Sequence, residues 1–433
     1  MFQRFLNKIY QEIKRGGYRL INDPVIMIRG LVVLSLLFAL SSLSYNALNT
    51  RASGPDFSNI ELVEEKAALF SEEDLSYFDD EITHLLVRYR FNGQMFVARH
   101  GTVLYDRCFG FSDFRSSTAV DPNTPFQLAS ISKTFTATAV LLLHQEGTLH
   151  IDSLVQQYIP EFPYPRIRVR HLLNHTSGLQ NYMWVMERFW TQPRMPSNED
   201  MLATFVRQRR PLDFTPGTRW AYSNTGYAML GILVERVSGQ RFPDFMQERI
   251  FEPLDMTNTF VYDLHSELQP INRAYGFRPN RGRYVLIPDV RHDGVMGDKG
   301  IYSTAADLYK WDQAIYRHQL LTAELWEQAF ENARLQNNNT VNYGMGWRLQ
   351  TFMDHRIVHH PGRWNGFRTS FKRFIDDDAT LIILSNNNMN IAPLVDQMQK
   401  IIFHKELTMV PEGTLPTEEE NGPVNGGQGT EQK

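Results

Sequence analysis

Gln127-Leu128-Ala129-Ser130-Ile131-Ser132-Lys133-Thr134-Phe135-Thr136-Ala137 is the run from which the rest of the chain is best read. Pro125 precedes it, and Ile131, Phe135, Thr136, Val140, Leu142 and Leu143 follow at helical spacing as far as Gly147. The pattern predicts a helix with Ser130 in its first turn. Lys133 then shares a face with Ser130, because residues three apart are neighbours on a helix. A hydroxyl at a helix N-terminus with an amine in reach can act as an activated nucleophile. A plainer reading exists, since serine commonly caps helices and a lysine one turn in is ordinary. Ser130 and Lys133 form the one S-x-x-K of the chain, so partners elsewhere must decide.

The chain of 433 residues is 42% hydrophobic, enough for a large core in one domain or two packed lobes. A formal net charge of −4 leaves no electrostatic footprint for nucleic acid. Cys108 is the single cysteine, which excludes an intrachain disulfide and a cysteine metal site. It falls in the apolar run Cys108-Phe109-Gly110-Phe111 and reads as a small buried hydrophobe.

The two ends differ from the body. Residues 30–50 carry no charge, and Leu, Val, Phe and Ala dominate Gly30 to Leu48, close to the ~20 residues that span a bilayer. Arg4, Lys8, Lys14, Arg15, Arg19 and Arg29 lie before the run, a bias that keeps the N-terminus cytoplasmic and exports the rest. The expected layout is a basic cytoplasmic segment 1–24, a transmembrane anchor 25–48 and a linker 49–70. A folded domain 71–405 and a disordered acidic tail 406–433 complete it. Cleavage as a signal peptide near Ala39-Leu40-Ser41 is the alternative, against which the long basic stretch argues.

Within the domain, Glu72 to Tyr89 reads as a helix, and Met95–Arg99 with Thr102–Tyr105 as a hairpin around His100-Gly101. Residues 150–345 are mostly helical, with helices expected over Tyr227–Val237 and Ser303–Tyr316. Strands return at Arg356–His360, Phe367–Phe374 and Thr380–Ser385, and a last helix runs Ile391–Phe403. Strands at both ends predict an α/β (α+β) fold, with one antiparallel sheet built from both chain ends, flanked by helices, and a mostly helical region inserted.

A serine nucleophile needs a proton acceptor and oxyanion donors. Tyr222-Ser223-Asn224 is the one Y-x-N, on a loop after Pro216-Gly217, where Tyr222 could pass a proton and Asn224 bind a substrate amide. Equally, Asn224 could simply cap the following helix. His360-Pro361-Gly362 ends a strand pattern, with Gly362 expected to let a ligand approach the backbone and the Arg363 N–H to pair with that of Ser130 as oxyanion donor. His292-Asp293-Gly294 repeats the H-x-G spacing among charged loop residues and is less suited.

Together these residues resemble the serine β-lactamase-related family: class C β-lactamases, penicillin-binding D-Ala-D-Ala carboxypeptidases and related esterases and D-amino-acid peptidases. The resemblance spans roughly residues 80–400. It includes Ala129 to Phe135, His171 to Leu179, Pro216-Gly217-Thr218, Tyr222 to Tyr227, Glu252 to Met256 and Gly300 to Leu308, in the family's order. It implies a β-lactamase/transpeptidase-like fold, no cofactor and no metal. It also implies Ser130 as acylated nucleophile, Lys133 and Tyr222 as the proton-transfer pair, and Asn224, His360, Gly362 and Arg363 as substrate-binding. The family's third motif usually holds Lys-Thr-Gly or Lys-Ser-Gly, whose lysine pairs with a substrate carboxylate; here His360-Pro361-Gly362 stands there. The resemblance implies a serine hydrolase, and the N-terminal run with its basic flank adds the expectation that it is membrane-anchored and extracytoplasmic, periplasmic if the cell is Gram-negative. Its partner is a small-molecule or peptide substrate, a D-amino-acid peptide or ester ahead of a β-lactam. A non-catalytic penicillin-binding-like sensor is the rival.

Tyr182 to Trp190 is a dense aromatic run, expected to form a helix with its Trp and Phe packed inward. His359 beside His360 does not make a metal site, because adjacent strand residues face opposite ways.

Overall fold

Both ends of the domain feed one sheet, because the apolar alternation at residues 93–109 and 348–385 is completed only when those segments pair. The computed structural model describes residues 72–403, except residue 265 and residues 267–271. The expected segments 1–24, 25–48, 49–70 and 406–433 lie outside the described residues. Among the described residues no helix is long and apolar enough to cross a membrane.

A first helix α1 (Glu72–Arg88) leads into the hairpin β1 (Gly93–Arg99) and β2 (Thr102–Phe109). The inserted region contains α2 (Ser132–Gln145), α3 (Asn224–Ser238) and α4 (Ala305–Tyr316). The chain then returns through β3 (Arg348–Phe352), β4 (His355–Trp364), β5 (Phe367–Phe374) and β6 (Ala379–Ser385), and closes with α5 (Ala392–Ile402). The six-stranded sheet has the order β3-β4-β5-β6-β1-β2. Its central junction joins the two ends of the domain, with Met95 opposite Ile383 and Phe96 opposite Ile382, antiparallel.

Strand β6 reads Ala379-Thr380-Leu381-Ile382-Ile383-Leu384 without polar alternation because both faces are covered. Leu381 and Ile383 join Phe78, Ile82, Met398 and Ile401 of α1 and α5 on one side. Ile382 and Leu384 join Phe371, Phe135 and Trp311 on the other. Helix α2 lies inside that second layer and is buried all round from Ser132 to Leu143. A helix enclosed on every side carries few charges, and its hydroxyls must be satisfied internally. Thr136 Oγ1 donates to the Gly297 carbonyl at 2.7 Å, and Ser132 Oγ accepts from the Ile301 N–H at 3.1 Å. Phe135 stacks on Trp311 with ring centroids 4.6 Å apart.

Four details correct the sequence reading. Ser130 sits in a 3-10 turn, Ala129–Ile131, that feeds α2, ahead of the α-helical first turn. Helix α3 begins at Asn224, before the expected Tyr227, because Ser223 rather than Asn224 caps it, accepting the Gly226 N–H at 3.1 Å. The aromatic run forms a helix, Tyr182–Phe189, that buries Tyr182 but leaves Trp184 70% exposed. Strand β4 runs on past His360 to Trp364.

The last difference explains Gly362. A Cβ there would lie 2.2 Å from the Leu128 carbonyl oxygen and 2.0 Å from Thr369 Oγ1. The glycine lets β4 lie against the Ser130 turn, a packing role the sequence did not show, and it also lines the cavity where close approach of a ligand was expected. Replacing Gly362 by Ala should cost about 1–3 kcal/mol by overpacking and shift the Ser130 turn, since the nearest obstacle in the turn is backbone. Urea unfolding together with acylation of Ser130 by a reactive ester would check it. Unchanged stability and unchanged acylation would refute it.

Five histidines among the described residues, His171, His175, His292, His359 and His360, have their charged forms disfavoured by burial. His175 and His360 lie well below the usual histidine range, His171 is lowered to about 4 and His359 to about 3. Below pH 6.5 the unfolded chain binds protons that the fold refuses, so stability is present above that pH and lost as pH falls. Each histidine contributes up to about 1.4 kcal/mol per pH unit in that window. Urea midpoints should therefore drop from pH 7 to pH 5, and His359→Gln should drop less steeply than the parent. A flat profile, or equal slopes, would count against this account.

Candidate active site

The Ser130 turn is held from three sides before any catalytic side chain is considered. The Leu128 N–H donates to the Ile301 carbonyl at 2.8 Å, Thr369 Oγ1 donates to the Leu128 carbonyl at 2.9 Å, and β4 covers the turn at Gly362. Between these anchors Ala129, fully buried, adopts φ +51°. A left-handed alanine costs roughly 1–2 kcal/mol, which the surrounding contacts must offset. The turn brings Ser130 to the surface of a cavity of about 610 Å³, whose lining includes Tyr222, Asn224, Arg348 and His360.

Lys133 is 0% exposed, so its amine must find partners inside the protein. Nζ donates to Ser130 Oγ at 3.3 Å and to the Asp298 carbonyl at 2.6 Å. It also lies over the rings of Tyr222 and Tyr227, 5.0 and 5.6 Å from their centroids. The expected pair is thus brought into hydrogen-bond contact, with the backbone of residue 298 fixing the amine.

Tyr222 stands on the far side of Lys133. Its hydroxyl is buried and has no hydrogen-bond partner among the described residues. The ring is wedged between His175, centroid 4.4 Å away, and the Arg348 guanidinium at 5.5 Å. Ser223, which caps α3, also donates its N–H to His175 Nδ1 at 3.2 Å, so the imidazole under Tyr222 is tied to the same turn. Asn224 is the first residue of α3 and lines the cavity.

His360 is 1% exposed, and both ring nitrogens are engaged. Nδ1 donates to the Pro361 carbonyl at 2.8 Å; Nε2 then accepts from the Tyr343 hydroxyl at 3.2 Å. A carbonyl cannot donate, which settles the neutral tautomer, and burial keeps the ring neutral. The ring therefore buttresses the site, and it also lines the cavity in which substrate contact was expected. Arg363 lies exposed on β4 opposite Arg368.

Several site residues were missed by sequence reasoning. Asp298 contributes a backbone carbonyl, which no side-chain motif can announce. Lys299 also reaches the cavity, but its ammonium is spent on the Tyr182 hydroxyl (2.9 Å), the His292 carbonyl (2.6 Å) and the Val295 carbonyl (3.0 Å). It moors the Asp298 segment, and the discounted His292 loop supplies part of that mooring. Asp298-Lys299 directly precedes the Gly300 run, the one available signal. His175, Tyr343 and Arg348 complete the missed set. Among the described residues no group of three or more His, Cys, Asp or Glu side chains could hold a metal ion.

Comparison with known proteins is consistent with this geometry. The family model described as Beta-lactamase matches residues 78–399. Penicillin-binding protein 4* of Bacillus subtilis (strain 168) is 36% identical over 310 residues, covering 69% of each chain. D-aminopeptidase of Brucella canis is 26% identical over 294 residues, 68% of this chain and 56% of that protein. A crystal structure of D-amino acid amidase from Ochrobactrum anthropi SV3 superposes with a TM-score of 0.63 at 24% identity, covering 76% of this chain and 99% of that one. The shared fold is the β-lactamase/transpeptidase-like one expected from the sequence. With the family model spanning most of the domain, the chain belongs to the beta-lactamase family and is a serine hydrolase of that family.

Proposed function

We propose that the protein hydrolyses D-amino-acid peptide bonds or related esters through an acyl-enzyme on Ser130. The observation that carries this is the Lys133 amine, buried, fixed by the Asp298 carbonyl and directed at Ser130 Oγ. Ser130 Oγ attacks the carbonyl carbon while its proton passes to the Lys133–Tyr222 pair. The tetrahedral oxyanion is received by backbone donors. Pro361 has no N–H to give β5, and a strand tolerates it where the nitrogen faces away from the ladder. The two-residue period then turns the Arg363 N–H to the same open edge, beside the Ser130 turn, as the notional second donor next to the Ser130 N–H. Tyr222, with its unpartnered hydroxyl, returns the proton to the leaving group, and water releases the acyl chain.

D-aminopeptidase of Brucella canis among the relatives supports the D-amino-acid reading. The absence of lysine from β4, with neutral His360 in that place, supports a carbonyl substrate other than a β-lactam. We also propose that residues 25–48 anchor the chain in a membrane with the domain outward. The support is the uncharged run and the basic residues before it.

The test is hydrolysis by the full chain of an acyl-D-Ala-D-Ala peptide, a short p-nitrophenyl ester and nitrocefin. Ser130→Ala should lower kcat/KM by about 10³-fold or more, and Tyr222→Phe by about 10²–10⁴-fold. Nitrocefin should be the poorest substrate. Activity retained in Ser130→Ala would remove Ser130 as nucleophile.

A further inference from the structure

The cavity does not end at the catalytic groups. Pairing between β3 and β4 stops at Arg348 opposite His359, so residues 360–364 form an open strand edge around which the cavity passes. His360 and Gly362 face the Ser130 turn. Residues two apart share a face, so His359 and Arg363 face the other way. Across the ladder, Arg348 and Lys372 flank His359, and Arg368 stands opposite Arg363. Four cations, Arg348, Arg363, Arg368 and Lys372, thus line one wall.

These cations are poorly partnered. Lys372 is 6% exposed, and its one hydrogen bond goes to Gln350 Oε1 at 3.2 Å. Arg368 donates to the Phe367 carbonyl at 2.8 Å, and Arg348 Nε is buried without a partner. Among the described residues none of the four pairs with a carboxylate. Asp396 is close enough to influence Lys372 but pairs with Lys400 at 3.2 Å. Among the described residues the one carboxylate lining the cavity, Asp298, accepts from the Tyr182 hydroxyl and faces Lys299. Burial pushes Lys372 down to about 8, and burial together with the Arg363 charge directly opposite in the ladder pushes Arg368 to about 10. Such a cost is retained where a ligand of opposite charge removes it.

We propose that this wall binds an anionic oxygen group of the substrate, a carboxylate or a phosphate, while the scissile carbonyl lies at Ser130. Arg348 links the two regions, since its guanidinium also lies over the Tyr222 ring. Among the described residues lining the cavity the four cations of this wall stand against the one carboxylate of Asp298, which already faces Lys299, so an anionic substrate group is favoured over a free ammonium. The inference rests on Ser130 as the reacting centre.

Calorimetric titration of the full chain with glutarate, inorganic phosphate and neutral glutaramide tests it without turnover. Glutarate, phosphate or both should bind at least about tenfold more tightly than glutaramide. Arg348→Gln and Lys372→Gln should each weaken that binding by about tenfold, with partial recovery in Arg348→Lys. Binding of glutarate alone identifies a carboxylate site, and of phosphate alone a phosphate site. Equal binding of glutaramide, no anion binding, or affinity unmoved by both substitutions would overturn the proposal. A parallel assay compares N-succinyl and N-acetyl D-Ala-D-Ala amides, and the parent's preference for the succinyl form should shrink toward unity in Lys372→Gln. Ser130-dependent hydrolysis without anion binding sinks this inference alone. Anion binding with hydrolysis that survives Ser130→Ala sinks the functional reading alone.

Discussion

The structure depends on the enclosure of one amine. Lys133 sits on a helix buried on every side, and its Nζ reaches only Ser130 Oγ, the Asp298 carbonyl and two aromatic faces. A buried amine with so few partners stays where its hydrogen bonds put it. The position of the Asp298 carbonyl is therefore a condition for the contact between Lys133 and Ser130. That carbonyl is placed by the neighbouring Lys299, itself tied to Tyr182, His292 and Val295. A chain of short polar contacts runs from the Tyr182 helix to Ser130, and each contact lies in an interior where leaving it unmade is costly.

Around that amine the protein builds a layer of neutral rings. His175, Tyr222, Tyr227, Tyr343 and His360 pack against one another with centroids 4.4 to 6.1 Å apart. Desolvation keeps His175 and His360 uncharged, so the Lys133 amine faces polarisable rings and one carbonyl rather than competing cations. Water is excluded from the same layer, which strengthens every hydrogen bond inside it. The contrast with the far wall of the cavity is sharp. There Arg363, Arg368 and Lys372 stand along the outward face of β4 and β5, and Arg348 alone reaches across to the Tyr222 ring.

The β4 strand organises this division. Its inward residues, His360 and Gly362, complete the packing on the Ser130 turn, and its outward residues, His359 and Arg363, belong to the basic wall. Pro361 and the end of the β3 ladder leave its edge open between the two. A single strand thus separates the reacting groups from the charged wall while allowing the cavity to pass from one to the other.

Much of this was legible in the amino-acid order. The Ser130 helix, the terminal hairpin, the strands at 367–374 and 379–385 and the capped helix at 305–316 follow from local periodicity and caps, which depend on neighbours a few residues away. The Ser130–Lys133 pairing was legible for the same reason, being one helical turn. What tertiary structure alone decided are contacts between distant segments. The Asp298 carbonyl has no side-chain signature, and Arg348 looks like any strand residue until β3 is laid beside β4. Gly362 looked like an opening for ligand because sequence shows a missing side chain but not which atoms approach it. His360 looked free because its partner, Tyr343, lies on a loop whose path only the packed fold defines. Local physics determined where Ser130 and Lys133 stand; long-range packing determined what surrounds them.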